Sequence, residues 1–314
     1  MEKDSIQKDL AEIDESLARI GAYRDGLGDG RVLVRAEGWM EGERKHFRRD
    51  PLIGMEAALF YLPCALIICA EIAMLYDVML GIGLHALVIA ALIYGVSAVH
   101  SREDSAPNVL RHRLHDASNL LKALMLLPLI RIFGFTLPLV LFRQVYWPMI
   151  VSVPLLVSVW MLARSLKITL KDVGLTGGSW GPQMAIALSG IVIGFAEYLV
   201  LKPAPLINYL TPETVIVPAL IQLAFTGFSE ELIFRGLVQN FATRLFGAFD
   251  GIAYAAVLFT VMHVGFNSMP ELSFVLAAAL FYGIMYYKTG KLSGVIFSHG
   301  IANVVLFLVA PFVL

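Results

Sequence analysis

Apolar segments of about 20 residues recur along this chain from residue 52 to its end, and each is long enough to cross a bilayer. A helix also satisfies its own backbone hydrogen bonds in lipid. The sequence therefore predicts an all-α polytopic integral membrane protein with eight or nine membrane helices. The predicted segments are residues 52–76, 79–99, 120–142, 145–163, 182–201, 213–228, 251–267, 271–287 and 292–313.

The distribution of charge divides the chain into three regions. Only 16% of the residues are charged, against about a quarter in soluble domains. Residues 1–50 contain 10 Lys or Arg and 12 Asp or Glu, so they form a charged N-terminal arm. Residues 51–212 carry the N-terminal membrane helices, and residues 213–314 carry the region with polar motifs. The net charge of −1, without a basic stripe, excludes nucleic acid as a partner.

The arm contains a heptad-like pattern on an otherwise charged helix, with apolar residues spaced four and three apart. These residues are Ile6, Leu10, Ile13, Leu17 and Ile20. The pattern is compatible with a short coiled coil that forms a homodimer through residues 6–20. It is equally compatible with an amphipathic helix on the membrane surface, because two or three heptads are too short to distinguish the two.

The positions of Lys and Arg predict the orientation, since short cytoplasmic loops collect positive charge. Basic residues precede the first segment and follow the second, fourth and eighth: Arg44, Lys45, Arg48 and Arg49; Arg102, Arg111 and Arg113; Arg164, Lys167 and Lys171; Lys288 and Lys291. The N-terminus is therefore predicted to be cytoplasmic, with Glu230 near the cytoplasmic end of its segment. The plasma membrane and the endoplasmic reticulum both remain open.

The run from Phe228 to Arg235 places two carboxylates and a guanidinium at membrane depth, where charges are costly and usually functional. We expect Gly227 to end the preceding helix and a new helix to run from residue 229 to 246. Glu231 and Arg235 are then one turn apart, acid first, which favours a supporting ion pair. Glu230 is rotated by about 100° from Glu231 around the helix, so it lies off the face on which the ion pair forms. Its carboxylate is therefore free to act as a general base.

Two further apolar segments carry polar side chains with helical spacing. Phe259 and His263 are four residues apart, and Asn267, another four residues on, is expected to orient the imidazole. His299 and Asn303 repeat this spacing in the last segment. Small residues surround that last pair and allow close helix contact, which predicts an inward-facing site; they are Gly294, Ser298, Gly300 and Ala302.

Three motifs in this order carry a resemblance to a known family: Glu-Glu-x-x-x-Arg at 230–235, Phe-x-x-x-His at 259–263 and His-x-x-x-Asn at 299–303. Together they resemble the CPBP (Abi) family of intramembrane proteases. That family includes the type II CAAX prenyl endopeptidases and bacterial members linked to bacteriocin immunity. The resemblance covers roughly residues 213–312 and does not extend to the arm or to the first four segments.

The resemblance implies a peptide hydrolase whose substrate is a peptide or protein, including lipid-modified ones, in contact with membrane lipids. It implies that Glu230 activates a water, with assistance from His263, and that His299 and Asn303 stabilise the oxyanion. General bases near the water and preorganised donors at the developing charge are what acyl transfer requires. Glu231, Arg235 and Phe259 are then supporting residues.

Other mechanisms and functions remain as alternatives. Glu230, His263 and His299 are three candidate ligands for a divalent metal such as zinc, with a fourth position for water; the glutamate-type mechanism without a cofactor is favoured, because the sequence has no His-Glu-x-x-His motif. A non-catalytic binding or immunity protein of the same fold is a second alternative. An ion- or proton-coupled transporter is a third, although the repeated halves typical of transporters are not visible.

Four other ionisable residues occur singly in apolar segments: Glu71, His85, Arg131 and Glu197. We expect Glu71 to reach the membrane surface from the end of its segment. A pairing of Glu197 with Arg131 is one hypothesis for the other two charges.

Overall fold

The computed structural model describes residues 53–103 and 108–314. The charged arm, residues 1–50, lies outside these ranges. The heptad-like pattern at residues 6–20 and the homodimer proposed from it therefore stay predictions.

The described residues form helices joined by short connections, and these ranges contain no strand. We number the helices in chain order: α1 Ile53–Tyr76, α2 Val78–Glu103, α3 Asn108–Leu124, α4 Leu126–Thr136, α5 Trp147–Ser165, α6 Trp180–Leu201, α7 Pro212–Phe246, α8 Ala248–Val261, α9 Met269–Thr289 and α10 Ser293–Val313. Because α3 and α4 continue each other through a turn at Met125, the described residues contain nine segments long and apolar enough to cross a membrane. The predicted all-α polytopic membrane fold is confirmed.

The third membrane segment begins and ends earlier than its prediction. It runs over Leu110–Thr136 rather than 120–142. Proline restricts the preceding residue and cannot donate a backbone hydrogen bond, and Leu137, just before Pro138, is extended with ψ 146°. The chain beyond it forms two 3₁₀ turns, Leu139–Leu141 and Gln144–Tyr146.

Helix α7 is continuous over 35 residues, so the expected break at Gly227 is wrong. Gly227 lies at the end of a π-helical turn, Gln222–Gly227, and a second π segment spans Leu232–Gln239. Glu230 therefore lies near the middle of its helix. Whether it lies nearer the cytoplasmic side of the membrane stays a sequence-based prediction.

Helix α8 ends at Val261, before the predicted limit of residue 267. A 3₁₀ turn, Val264–Phe266, follows, and Asn267 has a left-handed backbone with φ 51°. Asn267 is therefore not on the helical face of His263. The expectation that it orients the imidazole is wrong for this reason.

Helix α10 is the most buried of the nine spans. Backbone contacts with glycines bring its neighbours close: Gly190 and Gly194 of α6 face the carbonyls of Ser298 and Ala302, and Gly227 of α7 faces Gly300. The predicted small-residue face of α10 is thus buried. Exposed apolar side chains lie on the outer faces of the outer helices, among them Tyr94, Trp160 and Val192.

We expect Gly227→Ala to destabilise the fold. An added Cβ would lie 2.7 Å from the Gly300 nitrogen and 2.8 Å from the Ile296 carbonyl oxygen, and backbone atoms cannot move aside cheaply. Overpacking of this kind costs about 1–3 kcal/mol. Thermal unfolding in detergent measures it, with Gly83→Ala of α2 as the control, because a Cβ there meets nothing within 4 Å. Equal unfolding temperatures for both variants would contradict the close α7–α10 contact.

Candidate active site

The turn between α7 and α8 sets Glu230 and His263 at the same depth. Gly247 forms this turn with φ 88°, a value that favours glycine. Glu230 lies 17 residues before Gly247 and His263 lies 16 residues after it, so the antiparallel helices bring them to one level. Arg235 and Phe259 are each 12 residues from the turn, and the guanidinium carbon lies 4.6 Å from the ring centre.

The Arg235 side chain is buried, and its guanidinium contacts a carboxylate, a backbone carbonyl and aromatic rings. Its Nη1 donates to Glu231 Oε1 at 2.9 Å, and the two side chains are 1% and 0% exposed. Its Nη2 donates to the Ala279 carbonyl of α9 at 3.1 Å. The centre of the Tyr282 ring lies 5.7 Å from the guanidinium carbon. The ion pair predicted from the four-residue spacing is present.

Glu231 also binds His299 of α10, a contact that sequence reasoning missed. His299 Nδ1 lies 2.7 Å from Glu231 Oε1. Since an ionised carboxylate can only accept, Nδ1 carries the hydrogen of this bond. Glu231 therefore orients an imidazole as well as pairing with Arg235. No local pattern could indicate this contact, because the two residues are 68 positions apart.

Glu230 faces the other nitrogen of the same imidazole. Glu230 Oε2 lies 3.8 Å from His299 Nε2, which is too long for a hydrogen bond. The Glu230 side chain is 28% exposed, whereas that of Glu231 is 0% exposed. The two adjacent carboxylates thus differ: one is committed to buried partners and the other is open.

His263 is oriented by its own helix. Its Nδ1 lies 2.8 Å from the Phe259 carbonyl oxygen. A carbonyl accepts only, so Nδ1 donates and the Nε2 of a neutral ring is left as an acceptor. The Phe259 ring contacts this imidazole at 4.6 Å between centres and that of His299 at 5.8 Å. Phe259 therefore lies against both histidines.

Asn303 lies one turn beyond His299 on α10, and both are 8% exposed. The structure thus gathers Glu230, Glu231, Arg235 and His299 by direct contacts, and Phe259 joins His263 to them. Asn303 shares the buried face of α10 with His299.

The polar residues that occur singly in the sequence are not isolated in the fold. Arg131 of α4 donates from Nε to Glu71 Oε1 of α1 at 2.7 Å, and His85 Nε2 of α2 is 3.3 Å from the same oxygen. Glu71 is 2% exposed, so the expectation that it reaches the surface is wrong. The hypothesis that Glu197 pairs with Arg131 is also wrong, since Glu197 lies beside Glu271 of α9.

The donor groups do not form a metal site in this arrangement. Within residues 53–103 and 108–314, no three His, Cys, Asp or Glu side chains are placed to hold one metal ion together. The alternative in which Glu230, His263 and His299 act as ligands therefore does not fit the observed geometry, and we derive no chemical step from it.

A polar cavity of about 200 Å³ lies away from these residues. It is lined by parts of α3, α7 and the connection between α5 and α6, including Asp116, Lys167, Asn240 and Arg244. None of the candidate catalytic side chains lines it. Next to it, the Thr169 hydroxyl and backbone N–H both donate to Asp172, which holds the pKa of that carboxyl below its usual value.

We expect Arg235→Met to lower the stability by about 3–5 kcal/mol, because Glu231 would remain buried without its cation. The double variant Glu231→Gln/Arg235→Met removes both charges and should recover part of this loss. Thermal unfolding in detergent measures both. Arg164→Met is the control, since Arg164 is exposed and packs over Trp160. An Arg235→Met variant as stable as Arg164→Met would contradict the role of the buried pair.

Comparisons with known proteins extend over the region that carries these residues. Residues 212–305 match the family model described as type II CAAX prenyl endopeptidase Rce1-like, and the match includes every residue from Glu230 to Asn303 discussed above. Neither the curated proteins nor the solved structures gave a match. The segment of this multi-pass membrane protein that runs from residue 212 to residue 305 is thus similar to the Rce1-like type II CAAX prenyl endopeptidases.

Proposed function

We propose that this protein is an intramembrane endopeptidase of the CAAX type in which Glu230 activates the attacking water. The family match supports a CAAX-type intramembrane protease in general. One observation carries the assignment of the base. Glu231 is closed off by Arg235 and His299, whereas the partly accessible Glu230 carboxylate faces His299 Nε2 at 3.8 Å and accepts no hydrogen bond from the described residues.

In the proposed first step, Glu230 takes a proton from a water molecule while the water oxygen bonds to the scissile carbonyl carbon. His263 assists by accepting a hydrogen bond from the same water at Nε2. Its Nδ1 is already bound to the Phe259 carbonyl, so the acceptor nitrogen is the one that remains. Apolar surroundings strengthen these interactions relative to water.

The carbonyl oxygen becomes negatively charged as the tetrahedral intermediate forms. In this step His299 acts as an imidazolium and donates to it from Nε2, while Glu231 accepts the hydrogen of Nδ1. The Asn303 amide supplies a second donor from the same face of α10. Collapse of the intermediate breaks the carbon–nitrogen bond, and Glu230 returns its proton to the leaving amine.

The proposed substrate is a peptide segment close to a membrane anchor, such as the C-terminal end of a lipid-modified protein. The site lies on helices long and apolar enough to cross a bilayer, so a lipid-anchored segment would share its environment. The cytoplasmic position of the N-terminus, and the choice between plasma membrane and endoplasmic reticulum, stay sequence-based predictions.

We expect Glu230→Gln to abolish peptide cleavage while leaving the fold intact, because an amide cannot take the proton of the water. Mass spectrometry of C-terminally labelled peptides, each with and without a prenyl group, measures cleavage. Glu213→Gln is the matched control, since Glu213 is an exposed carboxylate in the first turn of the same helix. Cleavage by Glu230→Gln at the wild-type rate would exclude Glu230 as the base.

The comparison of prenylated with unprenylated peptides tests the substrate class separately from the endopeptidase activity. Cleavage of the prenylated peptides alone supports the CAAX type of substrate. Equal cleavage of both supports an endopeptidase that does not read the lipid, and a folded wild-type protein that cleaves neither contradicts the CAAX assignment.

Chelators should leave the activity unchanged, because the reaction proposed here needs no metal ligand. The measurement is the cleavage rate before and after dialysis against a strong chelator, together with metal analysis of the purified protein. Loss of activity that added zinc restores would favour the three-ligand alternative and overturn the glutamate mechanism.

A further inference from the structure

Three ionisable side chains from the N-terminal membrane helices meet in the interior. Glu71 is 2% exposed and His85 is 0% exposed. His85 Nε2 lies 3.3 Å from Glu71 Oε1, the atom that receives the Arg131 Nε hydrogen bond. Charges at this depth require partners. The pairing of Arg131 with Glu71 meets that requirement, but it uses only the Nε of the guanidinium.

A second nitrogen of the guanidinium reaches the end of α8. Arg131 Nη2 donates to the Met262 carbonyl oxygen. Helix α8 ends at Val261, and the last carbonyls of a helix have no partner within it. In apolar surroundings an unpaired carbonyl is costly, and a cation is favourable at a helix C-terminus. Arg131 thus caps α8 from a distance of 131 residues along the chain.

The capped carbonyl belongs to the peptide group whose nitrogen is that of His263. The backbone of His263 is therefore restrained from one side by Arg131 and its ring from the other by the Phe259 carbonyl. The residue also lies just where α8 changes to a 3₁₀ turn, and its backbone N–H donates to the Thr260 carbonyl at 2.9 Å. The contacts with Arg131 and with the Phe259 carbonyl therefore act on its backbone and on its ring, and both bear on the direction of Nε2.

We propose that Arg131 is a positioning residue for His263, held in place by Glu71. This inference rests on the proposed function, because it assigns to Arg131 the task of aiming a residue of that site. It also gives the N-terminal membrane helices a direct part in the site, although they lie outside the residues that match the Rce1-like family.

The competing explanation is an ion pair that only stabilises the fold. Replacing both charges separates the two, because a buried ion pair can often be exchanged for uncharged side chains at little cost in stability. The double variant Glu71→Gln/Arg131→Met should stay folded but lose the donor to Met262. We expect its kcat to fall about 10- to 100-fold with KM nearly unchanged, as misplacement of a reacting group does.

Two further single variants separate the contribution of Arg131 to kcat from that of Glu71. Glu71→Gln removes the charge but keeps a side-chain oxygen that can accept the Arg131 Nε hydrogen bond. Arg131 then stays in contact with Met262, so kcat should stay within about threefold of wild type, well short of the loss that misplacement causes. Arg131→Lys keeps a cation that can reach either partner but lacks the fork of a guanidinium, so it should restore part of the lost kcat. Arg143→Gln is the matched control, an exposed arginine in the connection between α4 and α5.

Wild-type kcat in the folded double variant would overturn the proposal, and so would a loss in Glu71→Gln as large as that in the double variant. If the double variant does not fold, the kcat values of Glu71→Gln and Arg131→Lys are compared instead. A loss in Glu71→Gln as large as that in Arg131→Lys would then overturn the proposal. A loss of kcat confined to variants at position 131 supports it.

A readout without substrate separates this proposal from the proposed function. In protein labelled with ¹⁵N-histidine, the His263 ring signals, assigned with a His263→Gln variant, report which nitrogen carries the proton. We expect the Nδ1–H form in wild type and in Glu71→Gln, and a mixture of forms in the double variant. Unchanged ring signals in that variant would overturn the positioning role even if no peptide is ever cleaved.

Discussion

The requirement that a buried guanidinium be paired organises the C-terminal half of the structure. Arg235 is 1% exposed on a helix that is otherwise apolar enough for lipid. Its charge is met by Glu231 on its own helix, by the Ala279 carbonyl of α9 and by the rings of Phe259 and Tyr282. These partners come from three helices, so satisfying one charge fixes the mutual positions of α7, α8 and α9. His299 then joins the same carboxylate and brings α10 into register.

Close contact between helix backbones allows these polar groups to reach one another. The polar groups of α7 and α10 can meet only because Gly227 and Gly300 let the helices approach, and glycines of α6 do the same on the opposite side of α10. In a membrane, packing and hydrogen bonds replace the hydrophobic effect as the force between helices. The small residues and the ionisable residues of α10 therefore depend on each other, since the first allow the approach and the second make it specific.

Periodicity and length were sufficient to predict the membrane helices and the Glu231–Arg235 contact, because both depend on residues close together in the chain. The errors also have local causes. A glycine before a charged motif suggests a helix end, but the missing side chain of Gly227 serves contact with α10. Asn267 was assigned to a helix that ends at Val261, and Phe259 holds the imidazole instead. Glu71, His85 and Arg131 looked unrelated, because only the packing of α1, α2 and α4 brings them together.

The sequence by itself determined the class of protein and indicated the candidate catalytic residues. Apolar length predicts the spans, and three motifs with helical spacing indicate Glu230, His263, His299 and Asn303. Only the tertiary structure decided which histidine meets the two adjacent glutamates, since His299 Nδ1 binds Glu231 and leaves Nε2 towards Glu230. The reason is that helical spacing governs contacts within one helix, whereas the direction of a hydrogen bond between helices depends on how they pack.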